Sequence, residues 1–233
     1  LTGVTADNVV AVNAQVLKQA TGDANTSPEI QALVGAANNA LSKIEFYNNG
    51  NGITPAPLTV LDYANAGVTN VTLDNLAAVN AQVLKQAISG ADTPAEIQGL
   101  VVVANTAIAK IENYNKGDGT SPAALNVNDY ANAGISGVTA DNLAAVNVQV
   151  LKQAIGGAAT APLVQALVTE ADKALTKIEA FNTGDGTSPA ALTVADYDNA
   201  GITGVNNDNL AAVNAQVLKQ AIGGAATDPL IQA

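Results

Sequence analysis

The chain repeats itself. The string Asp-Asn-Leu-Ala-Ala-Val-Asn begins at Asp74, Asp141 and Asp208, and a close copy begins at Asp7, a step of 67 residues each time. The motif Gln-Val-Leu-Lys-Gln-Ala keeps that register, with its lysines at Lys18, Lys85, Lys152 and Lys219. A period this strict makes the 67-residue block the structural unit, and the chain holds roughly three and a half of them. The blocks are bounded at 1–57, 58–124, 125–191 and 192–233. The first holds the second and third helices of a unit, and the last holds the first, the second and the start of the third. Leu1 aligns with Val68, Ile135 and Ile202, and Ala233 aligns with Ala32 and Ala166 in mid-segment, so the natural protein is expected to continue in both directions.

Each block reads as three helices. The first is short. Thr193-Val-Ala-Asp196 has the spacing of a capping box, and Gly201 suits a left-handed stop; Thr59 to Gly67 and Asn126 to Gly134 repeat the pattern. The second is expected from about Thr139 to Ile155, with Leu143, Val146, Val150, Leu151 and Ala154 on one inward face and Gly156 and Gly157 ending it. The third follows a cap and a proline, read at Ser27-Pro28, Thr93-Pro94, Ala161-Pro162 and Asp228-Pro229. Ile97, Leu100, Val101, Ala104, Ile108 and Ile111 then mark about five turns, roughly 27 Å of helix.

Between blocks lies a polar, turn-rich connector such as Asn182-Thr-Gly-Asp185-Gly-Thr-Ser-Pro189. The fold class is therefore all-α, a tandem array of 67-residue three-helix repeats. A unit this small is near the limit of independent stability, so the blocks are either compact beads in a row or a short solenoid with shared cores. The linker-like connector favours beads.

Composition removes most chemistries. The chain has no His, Cys, Met or Trp, and its nine basic residues are all Lys, so imidazole bases, thiolates and nitrogen–sulfur zinc sites are absent. A net charge of -11 repels phosphate backbones and anionic headgroups, and few aromatics remain for base stacking. Nucleic acid is not an expected partner. Polar residues interrupt every apolar run, so no membrane insertion is expected.

The remaining motifs each have a bland reading. Asp118 and Asp185, with Asn115 and Asn182 nearby, are weak calcium candidates in glycine-rich turns, but alignment to an EF-hand loop puts Phe181 and Leu192 where carboxylates are required. No other metal, cofactor or catalytic residue is expected. Asp62, Asp129 and Asp196 beside Tyr63, Tyr130 and Tyr197 read as first-turn acids and packing rings. Asn13, Asn80, Asn147 and Asn214 either bond to backbone and fix register or are solvated. Lys18 and its copies have no acid at fixed spacing in their own helices and read as solvated charges. Asn25-Thr-Ser27 and Asn70-Val-Thr72 fit the glycosylation pattern, as chance allows in an Asn-rich chain.

The run Leu192-Thr-Val-Ala-Asp-Tyr-Asp-Asn-Ala-Gly-Ile-Thr-Gly-Val, continued by Asp208-Asn-Leu-Ala-Ala-Val-Asn-Ala-Gln-Val, resembles helical repeats of very large bacterial surface adhesins and biofilm-associated proteins. The likeness spans the chain. It implies a type I secreted, RTX-type, cell-attached extracellular protein whose repeats hold an adhesive domain away from the membrane. More distantly the three-helix plan is similar to albumin- and immunoglobulin-binding modules, without a binding motif to carry over. Many adhesin arrays use calcium-binding immunoglobulin-like repeats, a pattern this chain lacks. The expected function is a structural spacer of a cell-surface adhesin or fibre, not an enzyme. Its expected partners are neighbouring repeats and other copies of itself. Two alternatives are a multivalent protein-binding array and a laterally assembling filament, sheath or matrix subunit. A binding face would show exposed apolar or aromatic residues in register, for which only the Tyr63 series and the Tyr47, Tyr114, Phe181 series qualify on sequence.

Overall fold

A computed structural model describes residues 1–50, 56–117, 123–184 and 190–220. Every regular element among them is a helix: α1 (Val9–Leu17), α2 (Ser27–Asn49), α3 (Val60–Asn65), α4 (Leu76–Leu84), α5 (Pro94–Lys116), α6 (Val127–Asn132), α7 (Leu143–Leu151), α8 (Ala161–Thr183), α9 (Val194–Asn199) and α10 (Leu210–Val217). The protein is all-α over these residues.

The short helices begin where the sequence predicts. At α3 the Thr59 side chain accepts from the Asp62 amide at 3.3 Å and Asp62 accepts from the Thr59 amide at 2.8 Å. The same reciprocal cap opens α9 through Thr193 and Asp196. At α6, Asn126 takes the place of the threonine. The long helices are longer than the spacing predicts, 23 residues each, or about 35 Å. Their caps also sit one residue earlier at two places. Thr26 caps α2, and Thr160 caps α8, leaving Ser27 and Ala161 as first helical residues. Asp228-Pro229 lies outside the described residues.

The second helix is shorter than its apolar pattern suggests. α7 has nine residues, because Thr139–Asn142 is a turn rather than helix. Asn142 holds that turn: its Oδ1 accepts from the Thr139 amide, and its Nδ2 donates to the Gly137 carbonyl at 2.9 Å and to Asp172 on α8 at 2.7 Å. Asn8 and Asn75 make the same set of bonds, reaching Asn38 and Asn105. Side-chain bonding of this kind competes with helix and delays its start. At the other end α7 stops at Leu151, so Ala154 leaves the helical register and both residues are exposed. The predicted inward face keeps Val146 and Val150, which are buried, and loses Leu151 and Ala154.

Contacts group the chain into two compact units, Leu1–Ile108 with Asn132–Gly134, and Ala109–Ala131 with Ile135–Ala233. In the first unit α1 packs against α2 and α3, and α2 packs also against α3 and α4. Val34, Ala37, Ile44, Leu58, Tyr63 and Val79 are among its most enclosed apolar side chains. In the second, α7 packs against α8 and α9, and α8 against α9 and α10, around Val146, Val164, Ile178, Leu192 and Tyr197. The third-helix stripe predicted from Ile97 to Ile111 is buried, except that Leu100 is only half-buried.

Candidate functional site

A six-residue helix leaves most of its end groups without intrahelical partners, so something else must satisfy them. For α3, α1 and its cap do so at the carboxyl end, while α2 and α4 bond to its side chains, all within the first unit. At its amino end Asp62 receives Lys43 from α2 at 2.6 Å. At its carboxyl end Gln15 of α1 donates to the Asn65 carbonyl at 2.6 Å, and Lys18 donates to the Ala64 carbonyl at 2.7 Å and to Asn65 Oδ1 at 2.9 Å. A cation there also opposes the negative end of the helix dipole. Gly67 then passes so close to α1 that a Cβ would lie 2.9 Å from the Val10 carbonyl oxygen, and its φ of 77° already disfavours any side chain. From the middle of α3, the Tyr63 hydroxyl donates to Asn80 Oδ1 of α4 at 2.6 Å, while Asn80 Nδ2 donates to the Leu58 carbonyl at 3.0 Å.

The second unit builds the same clamp around α9. Lys177 meets Asp196 at 2.6 Å, Gln149 reaches the Asn199 carbonyl at 2.8 Å, Lys152 meets Asn199 and Asp198 at 2.8 Å, and Tyr197 donates to Asn214 at 2.6 Å. A Cβ on Gly201 would lie 2.7 Å from the Ala145 nitrogen. Parts of the set recur at the 67-residue step elsewhere. Gln82 donates to the Asn132 carbonyl at 2.6 Å in the first unit, and in the second Tyr130 donates to Asn147 and Lys110 to Asp129, each at 2.6 Å.

Burial pushes the Tyr63 and Tyr130 phenols far above the usual range, helped by Tyr47 and Asp62 in one case and by Tyr114 and Asp129 in the other. Burial and then the Asp196 charge push Tyr197 up to about 12. For Asp62 desolvation pulls upward, but the bonds from Lys43 and Thr59, with the Lys43 charge, outweigh it and hold the carboxyl below its usual range. Asp196 follows the same balance with Lys177 and Thr193. Partial burial lowers Lys18 and Lys85.

These contacts resolve the open readings. Asn80, Asn147 and Asn214 are backbone-bonded network residues, each serving the carbonyl of Leu58, Leu125 or Leu192. Asn13 is exposed. Lys18, Lys85 and Lys152 are not simple solvated charges, since each donates to the end of a short helix. Their partners lie 47 residues away, beyond any search for acids within one helix. Gln15, Gln82 and Gln149 escaped sequence reasoning altogether, and only their recurrence at helix ends signals them. Both aromatic series are core residues, Tyr63, Tyr130 and Tyr197 fully buried and Tyr47, Tyr114 and Phe181 nearly so.

Asp118 and Asp185 lie outside the described residues. Of their neighbours, Asn115 spends its amide on the Val150 and Gln153 carbonyls at 2.8 and 3.0 Å. Among the described residues no group of three acidic, His or Cys side chains is placed to hold a metal ion, and no helix is long and apolar enough to cross a membrane. One carboxylate pair stands out. Asp92 is raised by its hydrogen bond with Glu96, by desolvation and by the charges of Glu96 and Glu45. Glu96 is itself the cap partner of Thr93, and the aligned positions hold Asn25 with Glu29 and Ala159 with Leu163, so the pair is no part of the repeated architecture. An open depression beside α9 is lined by Glu170, Lys173, Lys177 and Asp196, whose charges already pair with one another. No protein-family model matches the chain, and no curated protein and no solved structure matches it either.

Proposed function

We propose that the chain is a stretch of a tandem array of 67-residue, three-helix repeats, serving as a spacer that sets reach in a secreted bacterial surface adhesin or extracellular fibre. The observation that carries this reading is the clamp on the short helix. Its holders Lys43, Gln15 and Lys18 lie before the connector, and the helix lies after it. α3 therefore shares its packing with the preceding block, which supports the short-solenoid form over separate beads. In a solenoid each interface stabilises the next, and adding copies adds length without new chemistry.

The test is small-angle scattering on chains of two, four and six blocks, with and without calcium. A maximum dimension that rises linearly with copy number, unchanged by calcium, supports the spacer. Compaction to a globule at six blocks defeats it, and lengthening only with calcium points to the connectors instead.

A further inference from the structure

Three asparagines at the 67-residue step share one kind of partner pair. Asn80 accepts from the Tyr63 hydroxyl and donates to the Leu58 carbonyl; Asn147 does so with Tyr130 and Leu125, and Asn214 with Tyr197 and Leu192. The tyrosine lies 17 residues ahead of its asparagine, on a short helix, and the leucine 22 ahead. Asn13, the fourth copy, is exposed and makes no side-chain hydrogen bond among the described residues. It is not alone. Val9, Val16 and Leu17 stand at helical spacing from Asn13 and form one stripe with it. Val16 is half-buried where Val83 and Val150 are fully buried, and Leu17 is 85 % exposed where Leu84 and Leu151 are about half exposed. Just ahead of the helix, Val4 is 42 % exposed where the aligned Val71 and Val138 are buried. The other side of the same helix is in use, since Gln15 and Lys18 hold the end of α3.

We infer that this stripe of α1 is a socket for a short helix of the α3 kind, supplied by a block placed ahead of α1 in a longer array; the inference rests on the array reading above. Chemistry selects the occupant. A purely apolar partner would cover the amide of Asn13 without satisfying it and would incur the full desolvation cost of that group. The occupant must bring a donor to its Oδ1 and a carbonyl to its Nδ2, inside an otherwise apolar surface. A tyrosine five residues after a leucine does this at all three places where the partners are seen, with Tyr63 and Leu58 at 0 % and 1 % exposure. Each of those pairings, and the α1 stripe itself, lies within a single compact unit. A second copy of the chain has no such helix to give among its described residues. Its α3, α6 and α9 are already seated, through their tyrosines, on α4, α7 and α10.

The test is a chain lengthened ahead of Leu1 by a copy of its own residues 68–134, which sets a copied Tyr130 and Leu125 at 17 and 22 residues before Asn13. Amide exchange and melting are compared with those of the 233-residue parent. Exchange over Val9–Leu17 slows at least tenfold in the lengthened chain. Asn13→Ala, silent in the parent, lowers the melting temperature of the lengthened chain by roughly 4–10 °C. Tyr130→Phe in the copied block lowers it as well, and the two changes together cost less than their sum. Unchanged exchange over Val9–Leu17, or an Asn13→Ala change as silent in the lengthened chain as in the parent, overturns the inference. So does a parent chain that Asn13→Ala already destabilises, or one that sediments as a dimer until Asn13 is replaced, since either shows the stripe covered by something else. These outcomes are separate from the scattering test: a lengthened chain can fill the socket and still compact with copy number, or grow linearly with Asn13 silent.

Discussion

Helices α1 and α4 carry nearly the same nine residues, Val-Val-Ala-Val-Asn-Ala-Gln-Val-Leu and Leu-Ala-Ala-Val-Asn-Ala-Gln-Val-Leu, yet they live in different surroundings. In α4 the asparagine and the second valine are buried; in α1 Asn13 is exposed and Val16 half-buried. The leucine that ends each helix is 50 % exposed in α4 and 85 % in α1. The cause is α3, whose Tyr63 lies against Asn80. On its other side α1 is as well used as α4, because Ala11 and Gln15 are buried where α3 ends. The burial pattern of this helix thus belongs to its neighbours on two sides.

The contact between α1 and α3 can be broken with one methyl group. Gly67→Ala places a Cβ against the α1 backbone at a positive φ, where neither the backbone nor a side chain can give way. The expected cost is about 3 kcal/mol or more. At about 2–4 °C per kcal/mol for a chain of this size, the melting temperature falls by roughly 6–12 °C. Gly50→Ala is the control, since its φ of 47° is strained but nothing lies within 4 Å of the added atom. Its loss should be about 1–2 kcal/mol. Equal losses in urea denaturation would show that the close approach of Gly67 to α1 contributes nothing.

Asn80→Ala against Asn13→Ala tests the other side. The first leaves the Tyr63 hydroxyl and the Leu58 carbonyl without their buried partner and should cost about 2–3 kcal/mol. The second alters an exposed side chain and should stay within about 0.5 kcal/mol. If the two variants melt alike, the comparison between α1 and α4 has no energetic content. The same network shapes the alkaline limb. A phenol raised in the folded state, as in Tyr63 and Tyr130, contributes stability that is full below the unfolded pKa of about 10 and declines as pH rises above it. Tyr63→Phe should flatten that decline in a pH series of melting curves.

What the sequence made legible follows from the range of each signal. Helix type, the capping boxes at Thr59 and Thr193, and the buried stripe from Ile97 to Ile111 depend on residues within a turn or two, and periodicity reports those. The extent of the second helix was not legible, because Asn142 ties its turn to Asp172 on another helix. Nor was the clamp, since Gln15 and Lys18 find partners 50 and 47 residues away. Leu151 read as core because it continues an apolar face that the helix does not live to complete. Apolar spacing says which residues could share a face, and only the packing says which face has a neighbour.

Gln82→Ala against Gln216→Ala asks a smaller question. Gln82 is buried and caps the Asn132 carbonyl, while Gln216 is exposed. Loss of the first should cost about 1 kcal/mol, and loss of the second close to nothing. Amide exchange sharpens the result. Faster exchange confined to the helix that Gln82 caps would place the effect at that end, whereas uniform acceleration would assign it to α4 itself.

The smallest effect lies at acid pH, where it separates the ion pair from the cap. Asp62 and Asp196 titrate below their usual range in the folded chain, so the stability they contribute is complete above the unfolded pKa of about 3.9 and is lost as pH falls through that value toward the folded one. Lys43 and Lys177 are about half exposed, so solvent screening holds each pair to under about 1 kcal/mol. Lys43→Met should therefore lower stability slightly at pH 7 and make the fall below pH 4 shallower. It should leave the fall in place, because the Thr59 amide and hydroxyl still favour the ionised carboxylate. If Lys43→Met removes the acid limb entirely, the cap is incidental and the lysine alone holds Asp62. If the limb is unchanged, the cap suffices and the lysine's reach to α3 is a surface contact without consequence for how α2 seats it.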